Sequence, residues 1–438
     1  MPEKSERKVK PLQSVRGMND ILPREAEFWE GLEQMIFAVF KGYGYRPIRL
    51  PIVESTPLFH RAIGEVTDIV EKEMFSFEDR LSGDPLTLRP EGTAGCARAV
   101  IEHGLAHQAA HRLYYAGPMF RHERPQKDRY RQFHQIGVET FGLSGPDIDA
   151  EHLMMLASLW EDMGLNESLD LQLNSLGEPE ERRRHRADLI AYLEKHIDKL
   201  DADARRRLHA NPLRILDSKH PDVREICADA PRLMDYLGAE SLAHFEGLRN
   251  ILEVARIRYE VNPRLVRGLD YYNRTVFEWV TGRLGAQGTV CAGGRYDGLV
   301  TQLGGKPTPA CGFALGVERL MSLVRLDGLI VQELPLDVYV AHQGEAAFSW
   351  ALQVAGNLRK EGMSTVLHCG GGGFRAQMKK ADASGAQFSI IIGDDEAATR
   401  TMQVKALRDA NFGQRQLALP EAVKCLYAHI FETDGKEL

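Results

Sequence analysis

The chain has 438 residues, of which 43% are hydrophobic and 27% are charged, and its formal net charge is −7 at pH 7. This composition is typical of a folded protein with buried cores and excludes a largely disordered chain. A chain of this length is expected to form two or three domains, because single cores seldom grow past about 250 residues. The net acidity argues against a protein that coats nucleic acid, although a local basic surface can still bind phosphate groups.

Membrane, secretion and metal signals are weak. The longest apolar runs, such as FSIIIG at 388–393, fall short of the roughly 20 residues that a membrane-spanning helix needs. The N-terminal MPEKSERKVK is charged with no apolar stretch behind it, so we expect no secretory signal. The six cysteines are scattered without a close pair, so neither a disulfide framework nor a resident metal site is predicted. We therefore expect a cytoplasmic protein.

Up to residue 177 the pattern predicts short strands alternating with amphipathic helices. In chain order we predict a helix at 23–41, an extended segment ending at Pro51, strands in MFSFED and LTLRPEG, a helix at 93–101, strands in HRLYYAGPMFRHE and RYRQFHQIGVETFG, a helix at 150–163 and a strand in LDLQLNSLG. Pro51 cannot donate to a strand ladder, which favours an edge position. This part of the chain is therefore predicted to form a sheet domain.

The composition changes after Gly177. Residues 178–250 are rich in Arg, Asp, Glu, Leu and Ala, and strand signals resume only in RLVRGLDYYNRTVFEWVTG. We interpret this stretch as a helical insertion within the sheet domain. Beyond a boundary near 332–334, strands alternate with helices, which predicts a separate small α/β domain with a largely parallel sheet. The predicted divisions are 1–177 and 251–331 for the sheet domain, 178–250 for the insertion, and 335–438 for the small domain.

The strongest functional signal is RHERPQKDRYRQFHQ at 121–135 with its two strands. Because side chains alternate across a strand, Arg121 and Glu123 share one face of the first strand, and Phe133, Gln135 and Glu139 share one face of the second. A polar strand face is usually only solvated surface. An arginine, carboxylates, an amide and an aromatic ring together, however, suit a small zwitterion beside a nucleotide. The basic loop is either solvated or binds phosphates.

Four peptides carry a resemblance to a known family. FRHERPQKDRYRQFHQ resembles motif 2 of the class II aminoacyl-tRNA synthetases, and GFALGVERL resembles their motif 3. RGLDYYNRTVFE and AGGRYDGL resemble the two signature peptides of the histidyl-tRNA synthetases. The first helix and strand resemble motif 1, and the segment beyond residue 335 resembles the family's anticodon-binding domain. The resemblance therefore covers essentially the whole chain.

The resemblance implies an α+β fold in which helices and a helical insertion flank an antiparallel six-stranded catalytic sheet, followed by an α/β anticodon-binding domain. It also implies a homodimer. The implied reaction has two steps: histidine and ATP give histidyl-adenylate and pyrophosphate, and the histidyl group then passes to the terminal ribose of tRNA(His). ATP is thus an implied substrate, and Mg²⁺ is expected to accompany it because the charge of the triphosphate is otherwise poorly balanced.

The same resemblance assigns the site residues. For ATP, it assigns the α-phosphate to the catalytic residues Arg121 and Arg267, an adenine sandwich to Phe133 and Arg319, and the base edge to Glu123. For histidine, it assigns the ammonium group to Glu91 and Gln135 with Gly92 and Thr93 nearby, the imidazole nitrogens to Glu139 and Tyr272, the pocket walls to Tyr271 and Tyr296, and further contacts to Arg121 and Arg267. For the tRNA acceptor end, it assigns Gln126, Arg129 and Arg131.

Two other functions remain open at this point. One is a regulatory subunit of histidine biosynthesis that keeps the synthetase-like fold without aminoacylation activity, and the other is a module that only senses tRNA. Retention of Arg121, Arg267, Arg319 and the C-terminal segment favours the enzyme. The basic stretches at 181–186 and 204–209 are either solvated helix faces or a backing for the acceptor arm.

Overall fold

The computed structural model describes residues 11–64, 67–105, 110–126, 129–216, 218, 220–285, 288–327 and 335–432. The chain divides into two compact units, on either side of a division between residues 331 and 332. Each unit has its own hydrophobic core. Within the described residues, none of the helices is long and apolar enough to cross a membrane.

The first unit alternates short helices and strands as the sequence predicts. Its strands are β1 (Arg46–Pro47), β2 (Val53–Ser55), β3 (Phe75–Glu78), β4 (Pro85–Leu88), β5 (His111–Phe120), β6 (Gln132–Phe141), β7 (Asp170–Ser175), β8 (Glu260–Val261), β9 (Asn273–Val280), β10 (Thr289–Arg295) and β11 (Ala310–Gly316). Its helices are α1 (Pro23–Gly42), α2 (Thr56–Ile63), α3 (Thr93–Glu102), α4 (Pro146–Asp162), α5 (Pro179–Glu194), α6 (Ala202–Ala210), α7 (Leu213–Leu216), α8 (Pro221–Ala228), α9 (Ala239–Val254), α10 (Leu299–Gln302) and α11 (Val317–Leu326).

The large sheet has the strand order β1-β5-β6-β11-β10-β9-β7-β8. Its six inner strands, β5 to β7 in that order, pair antiparallel, which confirms the antiparallel catalytic sheet. The two edge strands, β1 and β8, are two residues long and pair parallel. Pro47 lies in the edge strand β1, where its missing N–H is tolerated.

The single extended segment predicted up to Pro51 is wrong in detail, because the chain forms two short strands there. β1 joins the large sheet, whereas β2 joins a small sheet of order β2-β4-β3. Arg89 explains the break: its side chain donates hydrogen bonds to the carbonyl groups of Leu50 (3.1 Å) and Pro118 (2.9 Å), so the segment between the strands turns towards this arginine instead of continuing a ladder.

The helices between β7 and β8 pack in two ways. Helices α5 to α8 enclose a small cluster of their own that includes Leu189, Leu208 and Val223. The last helix, α9, instead buries Phe245 and Leu248 in the main core against the sheet. The predicted insertion range, 178–250, stays a prediction, and it includes most of a helix that packs with the catalytic core.

The second unit contains β12 (Val338–His342), α12 (Glu345–Lys360), β13 (Thr365–Leu367), α13 (Phe374–Ala383), β14 (Phe388–Ile392), α14 (Asp394–Thr399), β15 (Thr401–Ala406), β16 (Gln414–Ala418) and α15 (Leu419–Tyr427). The strand order is β13-β12-β14-β15-β16. β12 pairs parallel with β13 and β14, but β14, β15 and β16 pair antiparallel. The prediction of a largely parallel sheet is therefore wrong for one half of it. The short α14 between β14 and β15 cannot span a parallel crossover, which needs a dozen or more residues.

Candidate active site

One cleft of the first unit collects most of the predicted site residues. Its walls come from the start of α3, from β5, β6, β10 and β11, from the segment just before β9, and from the first turn of α11. Of the predicted residues, the cleft is lined by Glu91, Thr93, Arg121, Glu123, Arg129, Phe133, Gln135, Arg267, Tyr271, Tyr272 and Arg319. Residues that lie more than 200 positions apart in the sequence, such as Glu91 and Arg319, are thus brought together by the antiparallel sheet.

Glu91 lies at the N-terminus of α3, where its carboxylate accepts the backbone N–H groups of Thr93 (2.7 Å) and Ala94 (2.8 Å). Burial raises the pKa of Glu91, and these two hydrogen bonds lower it only in part. The carboxylate is therefore held in a fixed orientation at the edge of the cleft. Gly92, also predicted to contact histidine, is the residue before α3, and a side chain at this position would collide with the ring of Tyr115.

Several buried polar atoms on residues that line the cleft have no hydrogen-bond partner among the described residues. Two of them bear on the ligand: the Oε1 atom of Gln135 and the Nε atom of Arg267. An unpaired buried acceptor or donor is costly, roughly 1–3 kcal/mol, unless a bound molecule satisfies it. The first is an acceptor suited to an ammonium group, and the second is a donor suited to a phosphate or carboxylate oxygen.

Glu139 lies below the floor of the cleft and is fully buried. Its carboxylate accepts hydrogen bonds from Thr93 (2.7 Å), Tyr115 (3.0 Å) and Tyr296. Burial raises the pKa of Glu139 to about 8, although the three hydroxyl groups favour the ionised form. Neither Glu139 nor Tyr296 lines the cleft itself. The contact of Glu139 with the imidazole ring and the place of Tyr296 in the pocket wall stay predictions.

Tyr115 is a site residue that sequence reasoning missed. It lines the cleft, is 2% exposed, and bonds to Glu139. In the register of β5 and β6 it lies opposite Gly137, and a side chain at Gly137 would collide with the tyrosine ring. The available signal was therefore a glycine within a strand, which often marks close approach of a neighbouring group.

Three tyrosines pack together beside this floor, and two of them, Tyr271 and Tyr272, line the cleft. The ring centroids of Tyr271 and Tyr272 lie 4.7 Å apart, and that of Tyr296 lies 5.5 Å from Tyr271. Burial raises the pKa of Tyr272 to about 12, so its hydroxyl group stays protonated near neutral pH. The main chain of Tyr272 is also fixed by α5, because Arg182 of this helix donates a hydrogen bond to the carbonyl group of Tyr272.

Two guanidinium groups, those of Arg121 and Arg267, line the same cleft. Arg121 donates to the carbonyl group of Pro90 (2.9 Å), and burial together with the charge of Arg267 lowers its pKa. Burial also lowers the pKa of Arg267, but the ion pair with Glu278 and the hydroxyl groups of Tyr271 and Tyr272 together outweigh burial, so the net shift is upward. Two cations held this close in a partly closed site attract an anion.

Aromatic and polar groups suited to a base lie next to the two arginines. The guanidinium carbon of Arg121 lies 5.1 Å from the ring centroid of Phe133. Arg319, in the first turn of α11, donates to the carbonyl group of Thr289 (2.9 Å). Glu123 forms an ion pair with Arg129. Sequence reasoning did not find Thr289, because this residue contributes a backbone carbonyl group, and no side-chain pattern identifies such a group.

The loop between β5 and β6 carries the predicted tRNA contacts. Gln126 and Arg129 pair across the loop through their backbones, and the Arg131 side chain donates to the carbonyl group of Glu123 (3.2 Å). Arg129 lines the cleft, whereas Gln126 and Arg131 do not. Residues 127 and 128 of the basic loop lie outside the described residues.

A larger cavity of about 730 Å³ lies elsewhere in the first unit, between α4 and the end of α9. Its lining includes Trp160 and Trp279 and none of the predicted site residues. Its two lining arginines, Arg256 and Arg258, are exposed, and the unpaired buried atoms on its lining residues are the N–H groups of the two tryptophans. It therefore lacks the buried arginines and the unpaired acceptor of the first cleft, and its size does not make it the better candidate for chemistry.

An antiparallel sheet whose strands carry motif 2, followed by motif 3 at the start of α11, defines the catalytic unit of a class II aminoacyl-tRNA synthetase. Comparisons with known proteins agree. Residues 17–320 match the family model of histidyl-tRNA synthetase, and residues 337–428 match that of an anticodon binding domain.

Individual relatives cover nearly the whole chain. Histidine--tRNA ligase of Dechloromonas aromatica is 64% identical over 426 residues, which cover 97% of this chain and 99% of the relative. Histidine--tRNA ligase of Aromatoleum aromaticum is 61% identical, with 98% of each chain covered. The crystal structure of apo S. aureus histidyl-tRNA synthetase matches with a TM-score of 0.79 at 34% identity and covers 95% of this chain and 100% of the other. The chain belongs to the histidyl-tRNA synthetase family.

Proposed function

We propose that this chain ligates L-histidine to tRNA(His) at the expense of ATP. In the first step a carboxylate oxygen of histidine attacks the α-phosphorus of ATP, and the bond to the leaving pyrophosphate breaks. In the second step the terminal ribose hydroxyl of tRNA(His) attacks the carbonyl carbon of the adenylate, and AMP leaves. The observation that carries this proposal is the single cleft in which an unpaired acceptor, Gln135 Oε1, and an unpaired donor, Arg267 Nε, lie with converging cations.

The first step needs alignment and charge stabilisation more than covalent catalysis. Arg121 and Arg267 would hold the α-phosphate from two sides and stabilise the charge that develops on its oxygens. Phe133 and Arg319 would enclose the adenine ring, with Glu123 at its edge. Arg121 lies over the face of Phe133, so Arg121 would shift from this face when adenine stacks there.

Histidine would bind at the other end of the cleft. Glu91 and Gln135 would accept hydrogen bonds from its ammonium group. Tyr272 and Glu139 would meet the ring nitrogens, and both have raised pKa values because they are buried. A protonated Glu139 can either donate to or accept from the ring. A side chain without matching polar atoms would leave these groups unpaired, which is how a site rejects apolar amino acids strongly without editing.

Other parts of the proposal rest on the family. The second unit would bind the anticodon stem of tRNA(His), and the motif 2 loop, with Gln126, Arg129 and Arg131, would contact the acceptor end. Mg²⁺ would enter with ATP as its counter-ion; Glu318 lines the same cleft and offers the oxygen ligands that Mg²⁺ prefers. The protein would act as a cytoplasmic homodimer.

The regulatory alternative has less support. One structural neighbour is described as an ATP phosphoribosyltransferase regulatory subunit/histidyl-tRNA synthetase, with a TM-score of 0.63, but at 22% identity it indicates the fold alone. The relatives at 61–64% identity are histidine--tRNA ligases over their full length. The chain also keeps the anticodon-binding unit, for which a subunit without aminoacylation activity has no evident use.

Exchange of labelled pyrophosphate into ATP tests the first step, and charging of tRNA(His) with labelled histidine tests the second. We expect exchange that depends on histidine. Arg267→Ala should reduce exchange by at least a hundredfold, because removing one group that stabilises transition-state charge costs about 10²–10³ in rate. Arg264→Ala, an exposed arginine three residues away, is the matched control and should retain activity. Absence of histidine-dependent exchange would favour a sensing or regulatory module instead.

A further inference from the structure

A short turn near the N-terminus packs against the base of the motif 2 loop. The turn comprises residues 15–18 and is closed by a hydrogen bond from Met18 N–H to the carbonyl group of Val15 (2.8 Å). The carbonyl group of Gly17 accepts two backbone N–H groups, those of Arg131 (2.7 Å) and Gln132 (3.1 Å). These are the last residue of the loop and the first residue of β6. The loop is therefore pinned from a segment more than 100 positions earlier in the sequence.

Gly17 fits this place because it has no side chain. Its φ is +86°, a conformation that L-residues with a side chain rarely adopt. A Cβ atom here would lie 2.9 Å from Pro125 Cγ and 3.1 Å from Arg131 Cγ, so either the loop or the turn would have to move. Pro125 and Arg131 belong to the two limbs of the loop, and the limbs are joined at the base by Arg121 N–H and the carbonyl group of Arg131 (2.8 Å).

The groups that this loop positions face both ATP and tRNA in the proposed function. Glu123 and Arg129 pair within the loop and line the cleft. Phe133 follows the pinned residues directly on β6. Glu91 and Tyr271, proposed for histidine, lie on other segments, at the N-terminus of α3 and just before β9. Displacing the loop should therefore disturb ATP and tRNA binding more than histidine binding.

We propose that Gly17 is a positioning residue for the motif 2 loop. Its backbone carbonyl group fixes the base of the loop, and its lack of a side chain leaves room for Pro125 and Arg131 to pack against the turn. The proposal rests on the proposed function, since it concerns how that function's ATP and tRNA contacts are held in place.

The test compares Gly17→Ala with Gly83→Ala in the full-length protein. Gly83 lies in the turn between β3 and β4 at φ +78°, and a Cβ atom there would meet nothing within 4 Å. Both substitutions place a side chain at a positive φ and so impose similar backbone strain, but only the Cβ atom of Gly17→Ala would contact residues of the loop. Pyrophosphate exchange gives KM for ATP and for histidine, charging gives KM for tRNA(His), and hydrogen exchange reports protection of the Arg131 and Gln132 amides.

For Gly17→Ala we expect KM for ATP and for tRNA(His) to rise about tenfold, below the hundredfold that a 1 Å displacement can cause. KM for histidine should rise less than KM for ATP, and the Arg131 and Gln132 amides should lose protection. Gly83→Ala should behave as the wild type. Wild-type constants in Gly17→Ala would overturn the proposal, and so would unchanged protection of the two amides or a parallel fall in all activities that follows the loss of folded protein. A wild type without exchange would instead refute the proposed function.

Discussion

The protonation of Glu139 gives the sharpest physical prediction. The folded protein raises the pKa of this carboxyl group from 4.5 to about 8 because it is buried. Between these two pH values the folded state holds a proton that the unfolded state has released, so stability falls as pH rises through this window. A shift of about 3.5 units corresponds to about 5 kcal/mol at 1.36 kcal/mol per unit. The stabilisation is fully present below pH 4.5 and is lost above pH 8.

Glu139→Gln removes this titration. We expect the variant to be similar to the wild type in stability near pH 5 and more stable by several kcal/mol near pH 9, because the glutamine amide cannot ionise in the buried site. The measurement is the free energy of unfolding in urea for both proteins at each pH, and the difference between them cancels the other titrating groups. Glu102→Gln, at an exposed carboxylate on α3, is the control and should show no such trend.

A difference between wild type and Glu139→Gln that stays constant from pH 5 to pH 9 would refute this reasoning. It would mean that the hydroxyl groups of Thr93, Tyr115 and Tyr296 outweigh burial and keep Glu139 ionised throughout. The proposed recognition of the imidazole ring would then have to begin from a carboxylate instead of a carboxylic acid.

Three further substitutions test neighbouring parts of the site. Arg182→Ala removes the hydrogen bond to the Tyr272 carbonyl group and should raise KM for histidine about tenfold in pyrophosphate exchange, since a hydrogen bond from a charged group contributes about 1.5–3 kcal/mol. The control Arg183→Ala, at an exposed arginine, should leave KM for histidine unchanged. Phe133→Ala should raise KM for ATP at least fivefold in the same assay, because stacking on an aromatic ring contributes about 1–3 kcal/mol per base. Arg295→Met breaks a fully buried ion pair and should lower the free energy of unfolding in urea by about 3–5 kcal/mol.

The sequence predicted the parts of the fold that depend on local pattern. Alternation and turn residues located the β5–β6 hairpin, and helical spacing located α1 within one residue of its observed end. The mixed sheet of the second unit could not be predicted in the same way, because strand direction depends on pairing partners that lie far away in the chain. The short α14 carries too little periodicity to be recognised.

The site residues likewise divide into those that local motifs identify and those whose placement depends on distant strand pairing. The motif peptides located Arg121, Gln135 and Arg267, which the sheet then brings into one cleft. The burial of Glu139 beneath the floor and the insertion of Tyr115 against Gly137 depend on the register between β5, β6 and β11. Register follows from packing of the whole sheet, which no single peptide encodes.

The most direct test of the whole account is a crystal structure of the protein with histidine and a non-hydrolysable ATP analogue. We expect the ammonium group of histidine within hydrogen-bond distance of Gln135 Oε1, the α-phosphate between Arg121 and Arg267, and the adenine ring against Phe133. Density for either ligand outside this cleft, or a cleft that stays empty at saturating concentrations of both, would contradict the account.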